Sequence, residues 1–373
     1  MVQTSPDYPA RIERVRSRLV DIDGNGNHCD GFLITDILNV RYLTGFTGSS
    51  GYLLVTDRDA VILSDGRYDV QLARQCPSMT KAIRPPTQKI TELAVEVIAD
   101  LKLKTVAVEA ADLTLAAMSE LSTESPDTTW LESSGVVELF RQIKDEYEIG
   151  LIRSAADIAQ RSLTKTLAGL NEQTTERQFA LDLENAMRMD SADGVSFDII
   201  AGFGETGGLP HYRPADRALA NHQTVLIDWG ACVSGYASDI TRTFHRDGAS
   251  DRFRSAYEAV LEANLAAIDA IRPGASCASI DAVARDVLRK HGLADAFLHS
   301  LGHGIGLFIH EGPRLAEIST ETLQPGMVVT VEPGVYFAGD FGIRIEDDVL
   351  VTPDGAEVMT SLPKGLDDCR LML

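Results

Sequence analysis

The sequence predicts an α+β protein of two domains: a smaller N-terminal α/β domain over residues 1–140 and a C-terminal domain over residues 141–373 built as an internal duplication. Three observations lead there. A chain of 373 residues is longer than one ordinary hydrophobic core accommodates, so length alone argues for two domains. From about residue 144 the same order of helices and strands runs through twice. Before residue 140 the pattern is different, with short β-rich runs alternating with helical stretches.

In the N-terminal part, residues 32–35, 51–56, 60–64 and 105–109 read as strands. Residues 65–75, 88–101 and 113–121 read as helices, and residues 122–126 as a polar loop. The run DIDGNGN at residues 21–27 resembles the start of a calcium loop. The twelfth position counted from Asp21 is Phe32, however, where such a loop needs a bidentate Glu, so a solvated turn is expected. The join between domains is placed at residues 138–146, where a charged helical segment opens the duplicated part.

The first half of the duplication reads as helices over residues 144–170 and 175–189, then the motif GLPH ending at His211, then strands at residues 224–230 and 238–244. The second half repeats it, with helices over residues 251–271 and 279–291, the motif GLFIH ending at His310, and strands at residues 328–334 and 342–351. Thr175 with Gln178 three residues on marks one helix start, and Arg272-Pro273-Gly274 and Gly292 mark stops. Two such halves facing each other across a pseudo-twofold axis enclose one central cleft.

The acids in these strands are out of place. TVLIDWG and VVTVEPG are apolar runs, yet they carry Asp228 and Glu332 in their interiors. An ionised carboxylate buried there loses its hydration, at a cost of roughly several kcal/mol, unless it is paired or holds a metal. Each is followed by a second acidic strand. Alternation puts Asp239, Thr241 and Thr243 on one face of SDITRTF, and Arg344, Glu346 and Asp348 on one face of GIRIEDDVLV. Between the halves lies GHGIGLFIHE, with His303 and His310 in a glycine-rich setting that lets backbone approach a ligand. Asp228, Asp239, His303, Glu332 and Glu346 thus form an oxygen-rich set with one imidazole, suited to two divalent ions, manganese first and cobalt or zinc as alternatives. Salt bridging with Arg242 or Arg344 explains any one acid singly; two matched pairs plus a His favour the metal. His211 and His310 hold matching places in the two halves and are expected at the cleft. His299, four residues before His303, fits either support of the site or loop packing, and Arg344 fits either an ion pair or a substrate contact.

The formal charge of −21 argues against nucleic acid or an anionic membrane as partner. Five scattered cysteines, none spaced as CxxC, are expected to be thiols in a reducing compartment. No apolar run approaches the roughly 20 residues of a membrane span, and no secretory leader is evident, so a cytoplasmic protein is expected. One decoy needs dismissal: Gly202-Phe203-Gly204-Glu205-Thr206-Gly207 matches a dinucleotide fingerprint, with Asp228 about twenty residues on. That fingerprint requires its third glycine to open a helix, and Gly208, Pro210 and Pro214 break any helix here.

At these residues the chain resembles the pita-bread metallopeptidases, in the aminopeptidase P and prolidase branch. The resemblance is carried by LIDWG with SDITRTF, GHGIGLFIHEGP, TVEPGVY and GIRIEDDVLV in that order, and by NVRYLTGFTGSSG and SDGRY in the N-terminal part. It implies a pita-bread C-terminal domain and hydrolysis of the Xaa-Pro bond of proline-containing peptides. Asp239 and Glu346 are then implied to bridge two metals, with His211, His299, His310 and Arg344 binding substrate and stabilising the transition state. Glu332 is expected to shuttle the proton, His310 to donate to the tetrahedral intermediate, and His211 to assist. Creatinases share the fold without the metal set, which this chain retains in full. The branch is commonly dimeric, so a homodimer is implied; a non-catalytic peptide-binding protein on the same fold is the alternative.

Overall fold

The computed structural model describes residues 5–22 and 24–372. The chain divides into two compact units, residues 5–141 and residues 142–373.

The N-terminal unit is a mixed sheet of β1 (Gly31–Ile34), β2 (Tyr52–Thr56), β3 (Ala60–Asp65), β4 (Thr80–Arg84), β5 (Thr105–Glu109) and β6 (Thr129–Ser133), in the order β4-β3-β2-β1-β5-β6. Its helices are α1 (Tyr8–Arg16), α2 (Ile37–Thr44), α3 (Asp69–Gln75), α4 (Ile90–Asp100), α5 (Leu115–Glu124) and α6 (Val136–Arg141). Leu33, Leu54, Leu63, Val106 and Val108 of the central strands pack against Ala94 and Ile98 of α4 and Leu121 of α5. The sequence pattern missed β4, β6 and three short helices. Both strands are edges with largely exposed faces, so they lack the apolar alternation that marks a strand. Helix α2 is short and is defined by its ends: Asp36 caps it by accepting from the Leu38 amide, and Gly45 closes it at φ 79°. Helix α5 also continues to Glu124, through residues expected to form a loop. In the Asp21 turn, Asp21 accepts from the Gly26 amide at 2.7 Å; Asp23 lies outside the described residues.

In the C-terminal unit, α7 (Glu146–Leu167) packs on α8 (Glu176–Met189), and α9 (Asp251–Ala270) on α10 (Cys277–Lys290). Asp145 and Glu148 cap the start of α7 reciprocally, Thr175 caps α8, and Ser250 caps α9. The strands are β7 (Gly194–Val195), β8 (Ile200–Phe203), β9 (Thr224–Trp229), β10 (Ala231–Val233), β11 (Tyr236–Ala237), β12 (Ile240–His245), β13 (Gly302–Gly304), β14 (Glu311–Leu315), β15 (Val328–Val331), β16 (Gly334–Phe337), β17 (Phe341–Arg344), β18 (Asp347–Thr352) and β19 (Gly355–Val358). The duplication is explicit in the pairing. One sheet runs β12-β9-β8, and the other contains β18-β15-β13 with β14 and β19 added at its edges. A continuous core joins both halves, including Phe179, Trp229, Phe253, Tyr257, Val331 and Ile343. The buried Trp229 indole donates to the Ala159 carbonyl at 2.9 Å, tying α7 to β9.

One expected strand is divided. Residues 342–351 form β17, paired with β16, and then β18, paired with β15 in a different sheet. The break falls at Ile345 and Glu346, whose amides donate to the carbonyls of Pro333 and Thr241. Pro333 has no amide hydrogen to continue a ladder between the two segments. Arg344 and Asp348 therefore do not share one sheet face as simple alternation predicted. Asp348 turns instead toward Asp239, where its Oδ2 accepts from the Asp239 amide at 3.1 Å.

Candidate metal centre

The carboxylates are delivered at strand ends and breaks, where side chains leave the ladder and converge. Asp228 lies near the end of β9, Asp239 just before β12, Glu332 just after β15, and Glu346 in the gap between β17 and β18; His303 is the middle residue of β13. All five line a cleft of about 690 Å³. Oxygens of Asp228, Asp239 and Glu346 come within 4.8 Å of one another. His303 Nε2 lies 3.6 Å from Asp239 Oδ2 and 3.5 Å from Glu332 Oε1.

Charge balance points to a cation among these groups. Burial raises Asp239 and Glu346 well above the usual carboxylate range, and the neighbouring acids push in the same direction. Glu332 is pushed up to about 8 by burial, with Arg344 opposing and Asp228 adding to the rise. The Oδ1 of Asp228 is buried with no hydrogen-bond partner. His303 is lowered to about 4, first by burial and then by the adjacent His310, so the ring is neutral. Its Nδ1 lies 3.1 Å from the Gly304 carbonyl and must donate there, leaving the Nε2 lone pair facing two carboxylates. An imidazole lone pair turned toward two carboxyl groups is an available ligand atom for a cation between them. Hard oxygen donors with one imidazole fit divalent ions, and an orphaned carboxylate oxygen is an available ligand.

Around this set, Arg344 is almost wholly buried and each of its three guanidinium nitrogens donates a hydrogen bond. It donates to Asp228 Oδ2 at 2.5 Å, to the Tyr336 hydroxyl at 2.7 Å and to Thr241 Oγ1 at 3.0 Å. Thr241 in turn donates to Glu346 Oε2 at 2.6 Å. Arg242, weighed as an alternative partner for the acids, instead pairs with Asp347 behind the site at 2.8 Å. His299 meets the Tyr336 hydroxyl at 2.9 Å and is lowered to about 4 by burial and then by Arg344. The His310 ring sits edge-on to His303 at 4.6 Å, and burial followed by Arg314 lowers its pKa. His211 lies exposed on the cleft wall.

Sequence reasoning overlooked Tyr336, Thr330 and Arg314. Tyr336 joins His299 to Arg344, and its only sequence signal is its place in the VEPGVY run. Thr330, whose hydroxyl accepts from the His303 amide, looked like an ordinary strand residue. Arg314 lines the cleft mouth, exposed and without an ion pair among the described residues.

Residues 150–353, more than half of the chain, match the model of metallopeptidase family M24. The chain belongs to metallopeptidase family M24. Residues 11–143 match the creatinase/prolidase N-terminal domain, the arrangement expected from the resemblance. An uncharacterised Bacillus subtilis peptidase is 35% identical over 90% of this chain and 95% of its own length. An Xaa-Pro dipeptidase from Pyrococcus furiosus is 32% identical over 91% of this chain and 96% of its own. Among solved structures, an Xaa-Pro dipeptidase from Bacillus anthracis superposes with a TM-score of 0.92 at 36% identity, covering 96% of this chain and 99% of that one. An X-Pro aminopeptidase from Thermotoga maritima gives 0.85 at 34% identity, covering 95% and 99%. Membership of M24 implies a peptidase using divalent metal ions on peptide substrates. Among the described residues no helix is long and apolar enough to cross a membrane.

Proposed function

We propose that this M24 chain is a dinuclear metal-dependent Xaa-Pro dipeptidase. The observation that carries the reading is the convergence of Asp228, Asp239, His303, Glu332 and Glu346 on one cleft with His310 against His303. Names of relatives support the Xaa-Pro part, since several are Xaa-Pro dipeptidases.

Asp228, Asp239, His303, Glu332 and Glu346 hold the ions in this reading, manganese first and cobalt or zinc as alternatives. Such ions supply a water nucleophile near neutral pH and polarise the scissile carbonyl. The protein's own residues do the rest. Glu332, just after β15 on the cleft, takes a proton from the attacking water and returns it to the proline nitrogen that leaves. His310 is neutral and beside the metal ligands, so its N–H donates to the oxyanion as the carbonyl carbon becomes tetrahedral. Arg344 holds Asp228 and Tyr336, and Tyr336 holds His299, which together shape the wall facing substrate.

The dipeptidase choice rests on charge at the cleft mouth. Arg213 and Arg314 both line it and are exposed, and neither has an ion pair among the described residues. A guanidinium placed there receives the terminal carboxylate of a dipeptide, whereas a longer chain presents a neutral peptide group at the same place. The test is kcat/KM for Ala-Pro beside Ala-Pro-Ala in manganese-loaded protein, with metal content measured. The dipeptide should be cleaved much faster. A faster tripeptide makes the protein an Xaa-Pro aminopeptidase, and no hydrolysis at full loading makes it a non-catalytic peptide binder.

A further inference from the structure

Glu176, the first residue of α8, is fully buried and makes four hydrogen bonds to one loop. Its Oε1 accepts from the Phe203 amide at 2.9 Å and the Thr206 hydroxyl at 2.5 Å. Its Oε2 accepts from the Tyr212 hydroxyl at 2.7 Å and the Ala215 amide at 3.2 Å. The helix answers from its backbone as well: the amides of Glu176 and Arg177 donate to the carbonyls of Arg217 and Ala215. A carboxylate at a helix N-terminus sits in a favourable field, and donors on both oxygens replace the water it lost.

The segment so held, from the end of β8 at Phe203 through the loop of residues 204–215, carries His211, Tyr212 and Arg213 into the cleft wall. Apart from the 3-10 turn Gly204–Gly208 the loop has no regular structure. Its glycines explain the dinucleotide-like run differently. A Cβ on Gly202 would lie 2.7 Å from the Gly207 amide, and one on Gly208 would lie 2.8 Å from the Phe337 carbonyl. The glycines therefore seat one end of the loop by close backbone packing, and Glu176 clamps both ends from the opposite side.

We infer that Glu176 is a positioning residue for substrate specificity: by holding residues 203–215 it sets where His211 and Arg213 meet the second substrate residue and its carboxylate. This rests on the Xaa-Pro dipeptidase reading. Glu176 itself touches no reacting atom, so it acts on substrate affinity and not on the chemical step.

Glu176→Gln keeps the shape but replaces one acceptor oxygen by a donor, which faces a backbone N–H that cannot turn away. In the manganese-loaded full chain, KM for Ala-Pro should rise about tenfold, the scale of losing a charged hydrogen bond, while kcat stays within about threefold. The increase should be smaller for Ala-Pro amide, which has no carboxylate to misplace. Metal content should be unchanged. Thr206→Val, outside the cleft, removes a single donor and should shift KM in the same direction by about threefold, and it serves if Glu176→Gln does not fold. Hydrogen exchange at the Phe203 and Ala215 amides should quicken in Glu176→Gln whether or not the wild type is active, which separates this inference from the activity on which it rests. Unchanged KM in both variants overturns it. So does a fall in kcat together with metal content at constant KM, which would make Glu176 a general prop of the fold.

Discussion

The turn that carries His310 is anchored by a buried ion pair whose removal has a calculable cost. Lys144 Nζ meets Glu311 Oε2 at 3.1 Å, with side-chain exposures of 1% and 7%. Glu311 Oε1 accepts from the Phe308 amide at 3.1 Å, so both oxygens hold the segment that leads into His310. The Lys144 stem also packs on this turn, since a Cβ on Gly306 would lie 3.1 Å from Lys144 Cε and 2.7 Å from Glu311 Oε2. Lys144→Met keeps the stem and deletes the charge, leaving the carboxylate buried without its ammonium. Breaking one side of a buried pair costs roughly 3–5 kcal/mol, whereas replacing both sides with neutral groups of similar size is often close to neutral. At roughly 2–4 °C per kcal/mol for a domain of about this size, Lys144→Met or Glu311→Gln alone should lower the melting temperature by about 10 °C. The double variant should recover most of that, so that its loss is about 1 kcal/mol where the two single losses sum to roughly 6–10 kcal/mol. Calorimetry at matched manganese loading measures it, and kcat for Ala-Pro follows alongside, because a loosened turn misplaces the His310 donor. If the single losses simply add in the double variant, the two side chains do not act as a pair and the anchoring argument is wrong.

Further outcomes follow from the same geometry. Glu332→Gln should lower kcat by about 10²–10⁴, the range for lost proton transfer, whereas His310→Ala should cost about 10²–10³ in kcat with KM little changed; a change in KM alone would place His310 in uniform binding. Ala-Pro should exceed Ala-Ala in kcat/KM by more than about tenfold, because proline has no amide hydrogen to satisfy and its ring fills the pocket, and equal values would reject proline specificity. In the N-terminal unit, burial pushes Glu109 up to about 8, outweighing donation from the Asp36 amide, the Asn39 side chain and the Thr35 amide. A raised carboxyl favours the fold when protonated, so this contribution is fully present below the ordinary value of about 4.5 and is lost as pH rises through about 8. Melting temperature should therefore fall between pH 5 and pH 9 in the wild type, and Glu109→Gln should flatten that slope; identical slopes would show that Glu109 is ionised throughout.

Much of this protein was legible in its sequence because the signals are local. An Asp inside TVLIDWG and a Glu inside VVTVEPG contradict their surroundings within a few residues, and burial cost makes that contradiction informative without any knowledge of the fold. The repeated order of elements is likewise visible along the chain. Helix α8 was marked by its cap at Thr175, a side chain that accepts from the amide three residues on. Edge strands β4 and β6 were not legible, since a strand with one neighbour and a wet face need not alternate.

Tertiary structure decided everything that depends on residues far apart in the chain. Which acid Arg344 meets was not readable along the chain: folding sets its guanidinium against Asp228, 116 residues away. Glu176 carried no sign of its role, because its four donors come from residues 27 to 39 positions later and no local pattern records them. The protonation of the acids is also a property of the assembled cleft: Asp239, Glu332 and Glu346 are raised by burial and by neighbouring acids, Asp228 among them, only once folding brings them together. The sequence by itself determined which residue types must be buried where hydration is lost; which oxygens then face one another was settled by the strand ends and breaks that the three-dimensional packing imposes.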